Sequence, residues 1–186
     1  MKKDIFVAAF ILMSVVSCSS KRTYTDSRRY DKRETSHNQQ IEQQKRDKLS
    51  KMYGFRITPD DNLRLYEACS QWFGVKHKWG GNTKAGVDCS GLVKIIFKQV
   101  YNIDTERNSA LILRRNCVRI KRGDLHEGDL VFFHTFGNDA PDVPTHVGIY
   151  LKNRRFVHVS ATRGVTVSNL TSPYYKRTWI TGGRIK

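Results

Sequence analysis

A chain of 186 residues, 39% of them hydrophobic, has room for one modest domain plus appendages. Its formal charge of +16, from 33 basic and 17 acidic side chains, predicts a cationic surface drawn to polyanions. Acidic wall polymers, anionic lipid headgroups and nucleic acid all meet that criterion, so charge alone does not choose among them.

The first residues choose a compartment. Lys2 and Lys3 precede the apolar run Ile5 to Val16, too short for a comfortable membrane span but suited to the core of a signal peptide. Val15-Val16-Ser17-Cys18 then sets small residues before a cysteine, which resembles a bacterial lipoprotein signal. On that reading residues 1–18 are the signal and Cys18 carries the lipid. Residues 19–52 are rich in Lys, Arg, Gln, Ser and Thr and nearly free of large aliphatic side chains. Such a stretch buries too little apolar surface to offset its ordering entropy, which predicts a flexible basic tether, with a short helix over Gln39 to Met52 as an alternative for its last part.

The domain is expected over residues 53–186. Thr58-Pro59-Asp60-Asp61 has the chemistry of a helix start, with Thr58 capping and Pro59 in the first position, and an apolar face continues to Gly74. A second helix follows Gly80-Gly81 and Gly86: Asp88 caps it, and Leu92, Val93, Ile96 and Phe97 recur at helical spacing until Tyr101. Cys89 then lies in the first turn, where unpaired N–H groups and the helix dipole favour a thiolate.

Residues 102–117 read as a loop with a short helix through Ala110 to Leu113. Strands are expected at 117–120, 130–133, 146–151, 156–160 and 165–167, with a last apolar stretch near Trp179 and Ile180. Helices first and an antiparallel meander after make an α+β fold, with helices packed on one sheet. His146 and His158 fall on successive strands, and an odd-length loop between them puts both on one face. A thiol at a helix start, a histidine to take its proton and a second polar group to orient that histidine form an activated nucleophile.

The motifs Asp88-Cys89-Ser90-Gly91-Leu92-Val93, Glu127-Gly128-Asp129-Leu130-Val131-Phe132-Phe133, His146-Val147-Gly148-Ile149-Tyr150 and Phe156-Val157-His158 resemble the NlpC-type cysteine peptidases of bacterial cell walls. The resemblance implies a papain-like α+β domain that hydrolyses peptide bonds of peptidoglycan without metal or cofactor. By position it implies Cys89 as nucleophile, His146 as base and His158 as the group that orients it. It further implies Asp88 meeting a substrate amine, Arg107 and Ser109 beside the groove, and oxyanion donors at the helix start, with Ser90 as an auxiliary residue. His77 stands where the family commonly carries a tyrosine whose hydroxyl assists the oxyanion, and an imidazole N–H can donate in its place.

The expected partners are peptidoglycan, a membrane reached through the lipid on Cys18, and an activating or adaptor protein. Ser19 and Ser20 after Cys18 suggest the periplasmic side of an outer membrane, again by resemblance. A thiol amidase or acyltransferase on the same fold and a non-catalytic wall-binding lipoprotein are the alternatives. Nucleic acid conflicts with export and lacks a stacking motif. Cys69 and Cys117 read as packing residues or as a disulfide pair. Residues 134–145 look longer than the family's usual link into His146 and are expected to rim the groove.

Overall fold

The computed structural model describes residues 21–135, 140 and 142–186, with side chains from residue 34 onward. The proposed signal and Cys18 lie outside the described residues, as do positions 136–139 and 141 of the expected groove rim.

The stretch expected as a tether is helical. Helix α1 spans Lys21–Tyr53, and from Gln44 its residues belong to the compact unit Gln44–Lys186. Arg46, Leu49 and Tyr53 recur at helical spacing and are all buried. Tyr53 donates its hydroxyl to the Tyr66 carbonyl, 2.8 Å away, and Arg46 donates to the Asp61 carbonyl. The domain therefore begins inside this helix and not at residue 53.

Helix α2 (Leu63–Ser70) starts later than the Thr58-Pro59 signal suggests. The Asp61 carboxylate accepts from both Thr58 N–H and Thr58 Oγ1 and pairs with Lys152, which closes 58–61 as a turn. Asn62 is the cap, its side chain accepting from Leu65 N–H. A small hairpin, β1 (Asn82–Thr83) and β2 (Gly86–Val87), leads into α3 (Cys89–Tyr101). Helix α3 ends as Asn102 turns left-handed at φ 58°, and it buries Leu92, Val93, Ile96, Phe97 and Val100. A short α4 (Ser109–Leu111) runs into a π-helical turn, Ile112–Asn116.

The strands are β3 (Cys117–Ile120), β4 (Leu130–Phe133), β5 (His146–Tyr150), β6 (Arg155–Ser160), β7 (Gly164–Asn169) and β8 (Trp179–Ile185), with α5 (Pro173–Arg177) before the last. All sheet pairings are antiparallel, in the order β3-β8-β4-β5-β6-β7. This departs from a plain meander, because β8 inserts between β3 and β4. Gly182 and Gly183 make the insertion possible: a Cβ at Gly182 would sit 2.7 Å from Ile120, and one at Gly183 would sit 2.7 Å from Phe132.

Central strand β4 is buried on both faces. Leu130 and Phe132 join the core beneath the helices, while Val131 and Phe133 pack with Phe156, Leu170, Tyr175 and Trp179 on the other side. Cys69 and Cys117 are free thiols within the first core, so the disulfide alternative is not realised.

Candidate active site

The site forms where the start of α3 meets the start of β5. Asp88 accepts from Gly91 N–H at 2.6 Å through Oδ1, and its carbonyl accepts from Leu92 N–H at 2.9 Å. The N–H groups of Cys89 and Ser90 are thereby left over at the helix end. Both, together with the N–H of Val147 on β5, act to favour the Cys89 thiolate. The thiol thus lies one residue along from His146.

Burial pushes the Cys89 thiol up from its ordinary value, and the Asp88 charge adds to this against the three N–H donors. The sequence pointed to a lowered pKa because it exposes the capping geometry but not the desolvation. The raised value favours the neutral thiol of Cys89. Its counterpart moves the other way: burial, then the neighbouring His77, lower His146 from 6.5 to about 4, so its imidazole is neutral too.

His146 and His158 occupy one face of the sheet. Leu151 N–H donates to the Arg155 carbonyl at 2.9 Å, which leaves Lys152, Asn153 and Arg154 as an odd-length loop, with Asn153 and Arg154 in the left-handed region. The rings meet nearly at right angles, 87°, with His146 Nε2 3.0 Å from His158 Nδ1. Gly148 allows this approach, since a Cβ there would fall 2.7 Å from Phe156 and 3.2 Å from the His158 Cβ. Beyond His158, its Nε2 lies 2.9 Å from Ser168 Oγ and 3.0 Å from the Tyr175 hydroxyl. Neither residue was singled out from the sequence; Ser168 is visible only once β6 and β7 are in register, and Tyr175 only once α5 folds back.

His77 is placed by backbone contacts. Gly164, at φ 69°, has its α-carbon so close to Val75 that a Cβ would be 2.3 Å from the Val75 carbonyl oxygen, and Val165 N–H donates to that same oxygen at 2.9 Å. The chain then bridges from His77 to Val87. His77 stands edge-on to Trp79, with ring centroids 5.3 Å apart, and lines a cavity of about 460 Å³ with Trp79, His146, His158 and Tyr174.

Three residues expected beside substrate are spent internally. Arg107 binds both carboxylate oxygens of Asp88, at 2.8 and 3.0 Å, and reaches the Gly81 carbonyl. Burial works to raise the Asp88 pKa, but Arg107, Gly91 and Ser90 hold it below the usual carboxylate value. Ser109 is buried and donates to the Pro144 carbonyl at 2.7 Å, pinning the approach to His146. The Ser90 hydroxyl bonds Asp88 and the Arg107 carbonyl, so only its backbone N–H faces the thiol.

The model of the NlpC/P60 family matches residues 74–184. The chain belongs to the NlpC/P60 family. Among its relatives are a probable endopeptidase NlpC homolog of Haemophilus influenzae, 36% identical over 121 residues, and the murein DD-endopeptidase MepS/murein LD-carboxypeptidase of Escherichia coli K12, 34% identical over 126 residues. These matches take in 65% and 68% of this chain but 61% and 64% of the relatives, so the chain spans about three fifths of their length. The crystal structure of an NlpC/P60 family protein from Bacillus cereus superposes with a TM-score of 0.57 at 28% identity, over 65% of this chain and 39% of that one. The NlpC/P60 domain here keeps the α+β architecture and the order of motifs read from the sequence.

Proposed function

We propose that this chain is a peptidoglycan endopeptidase working through a thioester on Cys89. The observation that carries the reading is the join of a thiol at the first residue of α3 to a strand beginning with a histidine that is itself bonded to a second histidine. The names of the relatives supply the substrate class.

With Nε2 of His146 engaged by His158, Nδ1 is the nitrogen left for the thiol. As Sγ attacks the scissile carbonyl, Nδ1 takes the thiol proton. The tetrahedral oxyanion is held by the N–H of Cys89 and by His77 as a side-chain donor. Collapse expels the amine, which leaves with the proton from His146, and the thioester remains. Water then attacks as His146 takes a proton from it, releasing the acid and restoring the thiol. Because both partners rest neutral, proton transfer accompanies attack and does not precede it.

The Arg107 pairing bears on substrate choice. Asp88 is already satisfied by Arg107, Ser90 and Gly91, which favours a bond within a cross-link over one that needs a free stem amine bound by Asp88. Acylation of Cys18 and a periplasmic, outer-membrane position complete the proposal, supported by the lipoprotein-like residues 15–20.

The test is digestion of purified peptidoglycan by the chain beside its Cys89→Ala variant, with released fragments weighed by mass spectrometry. Loss of cross-linked dimers and gain of monomers, absent from the variant, is the expected result. Shortened stems would move the cleavage to the stem bond, and no product from the folded wild-type chain would overturn hydrolysis.

A further inference from the structure

We infer that Ser168 and Tyr175 are positioning residues that hold His158 in its Nε2–H tautomer, and thereby leave His146 with a free lone pair at Nδ1. The inference rests on the thiol-hydrolase reading for its consequence, but its geometry stands apart from that reading.

One proton is shared along the 3.0 Å contact between His146 Nε2 and His158 Nδ1. If it belongs to His146, the neutral ring has its lone pair at Nδ1 and can act as a base. If it belongs to His158, the only proton of neutral His146 must sit on Nδ1, and the ring offers the thiol a donor where an acceptor is needed. The choice is made at the far nitrogen of His158.

That nitrogen, Nε2, has two hydroxyl oxygens within 3.0 Å, those of Ser168 and Tyr175. A hydroxyl alone is indifferent, able to donate or accept. Arg163 is not: it can only donate, and its Nη2 lies 3.4 Å from Ser168 Oγ. Arg163 takes one lone pair of Ser168 Oγ and leaves a second for His158. A single N–H shared between two oxygens satisfies both, whereas the reverse arrangement asks two hydroxyl hydrogens to converge on one lone pair. His158 then carries its proton on Nε2 and accepts at Nδ1.

The groups facing the His158 ring are His146 from β5, Ser168 from β7, Arg163 from the β6–β7 turn and Tyr175 from α5, with Phe156 from its own strand stacked beside it. His77 faces His146. Burial first, then His146 and Arg163, keep His158 well below the usual histidine range.

The test reads the tautomers directly, by ¹⁵N resonances of both histidines in the whole wild-type chain, which needs neither turnover nor a variant. Nε2–H on His158 is expected, and Nδ1–H would overturn the proposal. Either single variant, Ser168→Ala or Tyr175→Phe, leaves one acceptor and keeps that tautomer. The double variant has none: His158 moves to Nδ1–H, and kcat on peptidoglycan falls by roughly 10² to 10⁴-fold with KM changed by less than about threefold. Ser168→Thr in the Tyr175→Phe background brings back both the Nε2–H signal and turnover. A folded double variant that keeps Nε2–H and wild-type turnover would overturn the proposal. A wild-type chain without turnover would count against hydrolysis alone, because the ¹⁵N readout decides the tautomer in either case.

Discussion

Arg107 grips both carboxylate oxygens of Asp88, at 2.8 and 3.0 Å, and Asp88 caps the helix on which Cys89 is the first residue. The orientation of Cys89 thus depends on a side chain nearly twenty positions downstream. Arg107→Ala leaves Asp88 charged and only 11% exposed without its main partner. Breaking one side of a fully buried pair costs roughly 3–5 kcal/mol. Because 33% of the Arg107 side chain is open to solvent, about 2–3 kcal/mol is expected here, read from denaturant unfolding. Arg107→Lys should recover less than half of it, since an ammonium cannot reproduce the two-pronged contact.

Gly91 tests the same junction from the other side. Helix propensity alone favours alanine by about 1 kcal/mol. A Cβ at this position, however, would lie 2.4 Å from Arg107 Nη1 and 2.5 Å from the Gly81 carbonyl oxygen. The guanidinium could yield, but the Gly81 backbone cannot, so overpacking wins: Gly91→Ala should lose about 1–3 kcal/mol and lower turnover as Arg107 is displaced. Thermal melting and a kcat measurement decide it.

The pH dependence follows from neutral histidines. His146 is held at about 4, so it remains a base well into the acid range, and the acid limb of kcat/KM should fall far below pH 6.5. His77→Ala removes one of the two causes of that lowering, so the limb should move toward neutrality while kcat drops by roughly 10²-fold with the lost oxyanion donor. No change in either quantity would count against the donor role. For stability, the folded values of His146 and His158 lie below that of an unfolded histidine. The unfolded chain binds more protons in that interval, and stability is lost as pH falls from about 6.5 toward 4. Asp61 and Asp88, whose folded values are also lowered, contribute stability that fades only below the ordinary carboxylate value of 3.8. Melting temperatures across that range should therefore fall in two stages.

The end of α1 should behave as core. Leu49 is 5% exposed, and Leu49→Ala is expected to cost about 2–4 kcal/mol. Ile41, on the same helix but 39% exposed, should tolerate alanine within about 0.5 kcal/mol. Equal effects from the two substitutions would contradict the start of the packed unit at Gln44.

How much of this was legible depended on how local the signal was. The α3 helix with its Asp88 cap, the strands and the α+β class rest on neighbouring residues and could be read directly. The place of β8 could not, because what selects it is the close approach of Gly182 to Ile120 and of Gly183 to Phe132, across more than fifty positions of chain. The buried end of α1 was hidden because Leu49 and Tyr53 are set in a strongly polar run, where composition outvotes spacing. The roles of Arg107 and Ser109 were hidden by a similar limit: residue type names what a side chain can bind, but only the fold shows that Asp88 and the Pro144 carbonyl already occupy them.

The insertion of β8 also sets an order in time. The histidine pair is built from β4 to β7, a run of neighbouring strands that can form as soon as it is made. One edge of β4 nevertheless stays open, its N–H and C=O groups unpaired, until Trp179–Ile185 arrives to fill the gap beside β3. A chain emerging from N- to C-terminus therefore cannot complete this sheet until Trp179–Ile185 is free. Cys89, made long before β8, has to wait for a complete sheet behind His146, and a chain cut short before Trp179 carries the Asp88-Cys89 motif without that support.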